Sequence, residues 1–199
     1  GQTLAKAGSS LANVAAVHVY VKNAADVAGM TEVWRTYWPK DAPTRTTVVG
    51  KLVRPNALVE MSAIAVPNGA ERVVVTPSGW STGNPYSYAI RTGDTLFMSG
   101  IVARNNKDNT PLDADMATQT QTVMATAGEL LKAAGFGFEH VVASRVYITD
   151  GTAFQDMNRN CSPHCPKDPP ARATVITALP GPTFKVEMTM TAYRGPKQA

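Results

Sequence analysis

The sequence predicts an α+β fold, a mixed sheet with helices on one face, built as one and a half tandem repeats. The first observation behind this is an internal copy. Pro170-Ala171-Arg172-Ala173-Thr174-Val175 repeats Pro43-Thr44-Arg45-Thr46-Thr47-Val48, and Val186-Glu187-Met188 repeats Val59-Glu60-Met61, both at an offset of 127 positions. The offset runs without a gap from Leu4/Leu131 to Ala65/Ala192, which is too long for a solenoid repeat and about the size of one domain. The second observation is the order of the periodic segments. Runs of period two alternate with stretches of helical period as β-β-β-α-β-α-β-β over the second repeat. The third follows from the other two: so few helices cover only one face of the sheet. The other face must meet a second surface, and self-association is expected.

Residues 2–8 read as the last turns of a helix closed by Gly8 in the left-handed cap position. Their counterparts end a long helix with an apolar stripe of Met116, Val123, Ala127, Leu130, Leu131 and Ala134. Repeat 1 is thus expected to comprise the later part of a unit, over 1–67, and repeat 2 a complete unit, over 72–195. About 55 further residues upstream would complete the first unit. In repeat 1, residues 14–22 alternate as a strand, 26–38 have helical spacing stopped by Pro39, and 46–52 and 58–66 are strands around Arg54-Pro55-Asn56. Repeat 2 adds strands at 73–76, 86–91 and 95–103, the last two facing across Thr92-Gly93-Asp94. Then follow the long helix, a strand at 141–149, a helix from Ala153, and strands at 173–178 and 185–193.

Hydrophobic content of 44% against 17% charged residues suits a chain that buries a core. The net charge of +4 comes without a lysine- or arginine-rich run, so nucleic acid is not the expected partner. No apolar stretch is long enough to span a membrane, and no signal peptide stands at Gly1, so the cytoplasm is the expected compartment. Two cysteines do not make a disulfide framework. Cys161-Ser-Pro-His164-Cys165 has a metal-like look but no obvious fourth ligand. Its cysteines replace Trp34 and Trp38 of repeat 1, so apolar helix positions are the main reading, with a local disulfide or zinc as alternatives. No cofactor fingerprint is present.

Two residue types carry the chemistry. The arginine of Pro-x-Arg-x-Thr enters a strand after a proline that keeps the chain extended. Its planar guanidinium can fork onto a carboxylate, or it can be a surface arginine. Glu60 and Glu187 stand inside apolar strands, where a carboxylate is costly unless it faces solvent or a partner. Each reads either as a general acid/base holding a water or as an outward position on a half-buried strand.

Several stretches of repeat 2 together resemble one family. These are Gly83-Asn84-Pro85-Tyr86-Ser87-Tyr88-Ala89, Phe97-Met98-Ser99-Gly100, Val146-Tyr147-Ile148-Thr149-Asp150, Phe154-x-x-Met157-Asn158, Pro170-Ala171-Arg172 and Val186-Glu187. They are similar to the RidA/YjgF enamine/imine deaminases. The resemblance implies a chorismate-mutase-like fold, three-fold or pseudo-three-fold assembly, clefts between neighbouring units, and no cofactor or metal. It implies that Arg172 clamps the carboxylate of a 2-imino or 2-enamino acid, that Glu187 positions the hydrolytic water, and that Tyr86, Ser99, Gly100, Asn158 and Thr174 line the cleft. Arg45, Thr47 and Glu60 are the matching positions of repeat 1, a possible second site. The sequence departs from the family pattern at Thr31, where Asn158 has its counterpart, and at Gly100-Ile101-Val102-Ala103. The expected activity is hydrolysis of reactive imino acids to 2-oxo acids and ammonia. The alternatives are a non-catalytic 2-oxo acid binder of the same fold and an RNA-cleaving or translation-inhibiting relative.

Overall fold

The computed structural model describes residues 1–195. A short helix α1 (Gln2–Lys6) precedes β1 (Val14–Val21), α2 (Asp26–Tyr37), β2 (Thr44–Val49) and β3 (Val59–Ala65). These strands form a three-stranded sheet in the order β2-β1-β3. The rest of the chain runs β4 (Val73–Val75), β5 (Ala89–Thr92), β6 (Thr95–Met98), β7 (Ile101–Val102), α3 (Met116–Ala133), β8 (Val141–Ile148), α4 (Phe154–Cys161), β9 (Ala171–Ile176) and β10 (Val186–Tyr193). Its sheet has the order β4-β5-β6-β10-β8-β9, with β7 also paired to β10.

The repeat seen in the sequence recurs in the backbone. β1 runs parallel to β2 with Val17 opposite Arg45, and β8 runs parallel to β9 with Ser144 opposite Arg172. Tyr20 faces Glu60 across β1 and β3, and Tyr147 faces Glu187 across β8 and β10. Even the register irregularity recurs, near Val14 in one sheet and near Val141 in the other. Identical spacing of apolar residues on two stretches therefore produces the same pairing, as period-two burial requires.

Each helix covers one face of its sheet. α3 starts at Asp115, whose side chain accepts from the Thr118 N–H. It buries Met116, Val123, Met124, Ala127, Leu130 and Leu131 against Val146, Ile148, Met188 and Met190. Gly135 ends it at φ 80°, a backbone state glycine adopts without steric cost. In the first unit Val14, Val17, Val19 and Val21 pack under Met30 and Trp34 of α2. The opposite face of the second sheet meets the first unit. Val48, Tyr147 and Leu179 make a small shared core, and the Thr46 and Thr189 hydroxyls are 2.6 Å apart. The uncovered sheet face inferred from the sequence is thus partly filled within the chain. The outer edge of β3 has no strand partner among the described residues, and Met61 and Ile64 on it are exposed.

The strands expected at 46–52 and 173–178 start two residues earlier and end earlier, at Thr44–Val49 and Ala171–Ile176, and two further elements differ more. The segment expected as a strand from 86 pairs only from Ala89, because Ser87 bonds to the first unit through its N–H to Pro43 O and its hydroxyl to Ala42 O. The single strand expected over 95–103 breaks at Ser99-Gly100 into β6 and β7. The main chain there turns from β10 to β2: the Gly100 N–H donates to Arg45 O, and the Arg45 N–H donates to Ser99 Oγ.

Candidate active site at the junction of the two repeats

The break at Ser99-Gly100 opens a place beside Glu187 on β10. The Gly100 main chain lies so near that a Cβ there would be 1.7 Å from Glu187 Oε1. Glu187 is 4% exposed. Burial pushes its carboxyl up to about 8, against the opposing pull of the Thr47 N–H and the charges of Arg45 and Arg104. Ser99 is held by its own hydroxyl, which donates to Ser87 O at 2.7 Å.

An arginine whose charge acts on this glutamate is Arg45, and it comes from the first unit. β2 lays its edge along Ser99-Gly100, and Arg45 is 8% exposed. Its guanidinium lies 5.2 Å from the ring centres of both Trp34 and Tyr86, and Nη1 donates to Thr31 Oγ1 at 3.3 Å. Burial lowers the guanidinium from its usual value, with Tyr86 and Glu187 acting the other way. Trp34 is itself fixed by an Nε1–H bond to Pro85 O. The aromatic shelf thus joins α2 of one unit to the 83–88 loop of the other. A cleft of about 380 Å³ runs along that loop between Lys40 and Asp41 on one side and Asn84 and Tyr86 on the other.

Arg172 and Glu187 are not brought together. Residues paired across strands share a face, and faces alternate along a strand. Arg172 pairs with Ser144, and Glu187 pairs with Tyr147. Ser144 and Tyr147 stand on opposite faces of β8, so Arg172 points to the helix side and Glu187 to the other. Arg172 is exposed on the edge strand β9, 5.8 Å from the Phe154 ring centre. Asn158 lines the same cavity as Arg172, and Thr174 is half-buried on β9. Glu60 is exposed on β3. Of the expected cleft residues, Tyr86, Ser99, Gly100, Arg45, Thr47 and Glu187 converge, while Asn158, Thr174, Arg172 and Glu60 lie elsewhere.

Sequence reasoning passed over Trp34 as a site residue and missed Arg104. β7 pairs with β10 so that Val102 faces Glu187. Ile101 and Ala103 enter the helix-side core, so Arg104 shares the side of Val102 and Glu187. Its guanidinium lies 5.9 Å from the Tyr86 ring centre and 5.7 Å from that of Tyr88. Alternation from Gly100 would have placed Arg104 on this face, had the pairing of β7 been known. Cys161 and Cys165 are free thiols. Among the described residues no group of three or more His, Cys, Asp or Glu side chains stands close enough to hold a metal ion, and no helix is long and apolar enough to cross a membrane.

The profile of the family described as Endoribonuclease L-PSP matches residues 1–67 and again 78–194. A RutC family protein of Saccharolobus solfataricus is 31% identical over 125 residues, which are 62% of this chain and 98% of that protein. The human 2-iminobutanoate/2-iminopropanoate deaminase is 29% identical over 126 residues, 63% of this chain and 91% of the relative. Among solved structures, a putative endoribonuclease of Thermotoga maritima superposes with a TM-score of 0.58 at 25% identity, over 63% of this chain and 99% of that one. RidA from an Antarctic Psychrobacter superposes at 0.57 with 23% identity, covering 61% and 99%.

Proposed function

Because the chain belongs to the family described as Endoribonuclease L-PSP, and its sheets are those of the RidA/YjgF fold, we propose that it hydrolyses 2-imino and 2-enamino acids to 2-oxo acids and ammonia at the junction of its two repeats. The observation that carries the reading is that Arg45 and Glu187, from different repeats, act on each other's charge at the junction. An arginine 5.2 Å from the centres of two aromatic rings exerts its charge on a buried carboxyl with a raised pKa, and the Gly100 N–H bond to Arg45 O ties the two segments together. The naming of relatives as deaminases supports the chemistry.

The reaction asks little of a protein. An imine carbon is already electrophilic, so no cofactor enters the proposal. The Arg45 guanidinium forks onto the substrate carboxylate and fixes the adjacent imine carbon beside Glu187. A carboxyl that titrates near 8 holds its proton over much of the neutral range and gives it up readily there. Glu187 first gives its proton to the imine nitrogen and, as a carboxylate, takes one from the attacking water. It then passes that proton to the amino nitrogen and takes the hydroxyl proton, so that the C–N bond breaks, ammonia leaves, a carbonyl remains and Glu187 is protonated again. The anchor role assigned to Arg172 from the sequence passes in this reading to Arg45. Arg172 and Glu60, related to Arg45 and Glu187 by the repeat offset, face outward, and their exposure supports association of chains into a three-fold or pseudo-three-fold assembly. An RNA-cleaving role, which the family's description carries, finds no dense basic stripe in the sequence.

The test is turnover of freshly generated 2-aminoacrylate by the purified chain, read as 2-oxo acid released. The reading requires activity that Arg45→Lys and Glu187→Gln both lose. Full activity in either variant, with an unchanged fold, overturns it.

A further inference from the structure

Arg104 is a cation at the junction for which imine hydrolysis by Arg45 and Glu187 has no use. It follows directly on Gly100-Ile101-Val102-Ala103, the stretch where the sequence departs from the family pattern. Its main chain is tied down. Arg104 bridges to Pro111, the Asn105 N–H donates to Thr110 O, and the Leu112 N–H donates to Ala103 O. The loop this closes is pinned further out, where Asn109 Nδ2 donates to Ser81 Oγ and Asn106 Nδ2 to Thr126 Oγ1. The stem of Arg104 is thus set before any ligand arrives, which lowers the ordering cost of binding.

Arg104 and Arg45 stand about one aromatic ring. The Tyr86 ring centre is 5.9 Å from the guanidinium carbon of Arg104 and 5.2 Å from that of Arg45. Both charges also act on Glu187, so the acid, the ring and the two cations form one group. Arg35 adds to it, since its charge acts on Arg45 and its Nη2 donates to Gly83 O. Among the described residues no carboxylate lies within ion-pair distance of Arg35, Arg45 or Arg104. Glu187 does not balance them at neutral pH, because burial keeps it largely protonated below about 8. Arg45 is buried and Arg104 half-buried. Cations held partly out of water without a counter-ion are costly, and together they favour an anion of more than one charge.

We propose that the junction prefers substrates with two carboxylates, the 2-imino derivatives of four- and five-carbon dicarboxylic acids, and that Arg104 selects them. This rests on the reading of the junction as an imine-hydrolysing site, with the α-carboxylate on Arg45 and the imine carbon beside Glu187. The distal carboxylate then meets Arg104. An extended five-carbon diacid puts its carboxylate carbons roughly 5 Å apart. A charge-assisted hydrogen bond of about 2.8 Å at each end extends that reach, enough to join two guanidiniums set about one ring. Arg104 holds the far end of the substrate and takes no part in the proton transfers.

The experiment is calorimetric titration of the full chain with 2-oxoglutarate, and with 2-oxopentanoate, which has the same chain length and lacks the second carboxylate. 2-Oxoglutarate should bind at least about tenfold more tightly. Arg104→Leu should bring that ratio to about one, and Arg104→Lys, which keeps the charge but not the fork, should leave it in between. Lys132→Leu removes one charge from the exposed last turn of α3 and should keep the full ratio. Thermal unfolding of each variant establishes that it is folded. Equal binding of the two oxo acids by the parent overturns the proposal. So does a folded Arg104→Leu with the parent's ratio, because the second carboxylate then meets another group. The 2-aminoacrylate assay separates this from the reaction itself. Turnover by a parent without the dicarboxylate preference overturns the role of Arg104 alone, whereas the preference without turnover upholds a dicarboxylate site and overturns the hydrolysis.

Discussion

The Thr47 N–H lies against the Glu187 carboxylate as a hydrogen-bond donor, so the edge strand of one repeat touches the acid of the other. This contact, with the Gly100 N–H bonded to Arg45 O, makes the candidate site a property of the junction and of neither repeat alone. Its parts respond differently to change.

Glu187 sets a pH dependence. Its carboxyl is raised from 4.5 to about 8, chiefly by burial. The folded state therefore binds more protons than the unfolded chain between those values. The stability this contributes is fully present below about 4.5 and is lost as pH rises through about 8. Glu187→Gln should flatten that decline, seen as a thermal midpoint that falls less between pH 5 and 9 than the parent's. The same variant should lose turnover by about 10²–10⁴-fold while still binding a 2-oxo acid.

Gly100 has no room for a side chain. A Cβ would collide with the Glu187 carboxylate, and Glu187 is enclosed on all sides. Gly100→Ala should cost about 1–3 kcal/mol of stability, as overpacked interiors do, and should lower turnover by displacing the acid. Chemical denaturation and the imine assay check both; a neutral result in each refutes the close approach.

Arg45 and Arg172 should separate. Arg45→Lys keeps charge but loses the planar fork and the stacking between Trp34 and Tyr86. Binding of pyruvate at the junction should weaken by about 1–3 kcal/mol. Titrations that follow a junction reporter, such as the fluorescence of Trp34, should respond to Arg45→Lys and not to Arg172→Lys.

His18 reports on the contact between repeats. It stands at the repeat offset from Arg145, whose Nη1 lies 3.4 Å from His18 Nε2. Burial first, and the Arg145 charge second, lower its pKa from 6.5 to about 4. This contribution to stability is present above about 6.5 and is lost as pH falls through about 4. The His18 ring signals should titrate near 4 by NMR. Arg145→Ala should move that midpoint upward without restoring the full ordinary value, because burial is the larger cause.

Association is the remaining expectation. β3 offers an open edge with Met61 and Ile64 exposed, and Val175 and Ile176 are exposed on β9. Open edges and apolar patches favour pairing with another chain. Light scattering at micromolar concentration should give a mass above that of one chain; a monodisperse monomer would refute it.

The sequence by itself determined the repeat, its offset, the element order, and the residue types that matter. Period-two alternation and helix-end signals are local, and the same local pattern written twice folds twice. It also marked Glu187 as a carboxylate out of place among apolar neighbours, and Arg45 and Arg172 as equivalent candidates. Only the tertiary structure decided which of the two acts on that glutamate's charge. Arg172 is near Glu187 in sequence but opposite Ser144, while Glu187 is opposite Tyr147, so one sheet separates them by face. Register between strands and the docking of β2 on Ser99-Gly100 are long-range facts, fixed by packing of one unit on the other. The same docking raised Glu187 by burial and drew in Arg104, neither of which any local pattern could show.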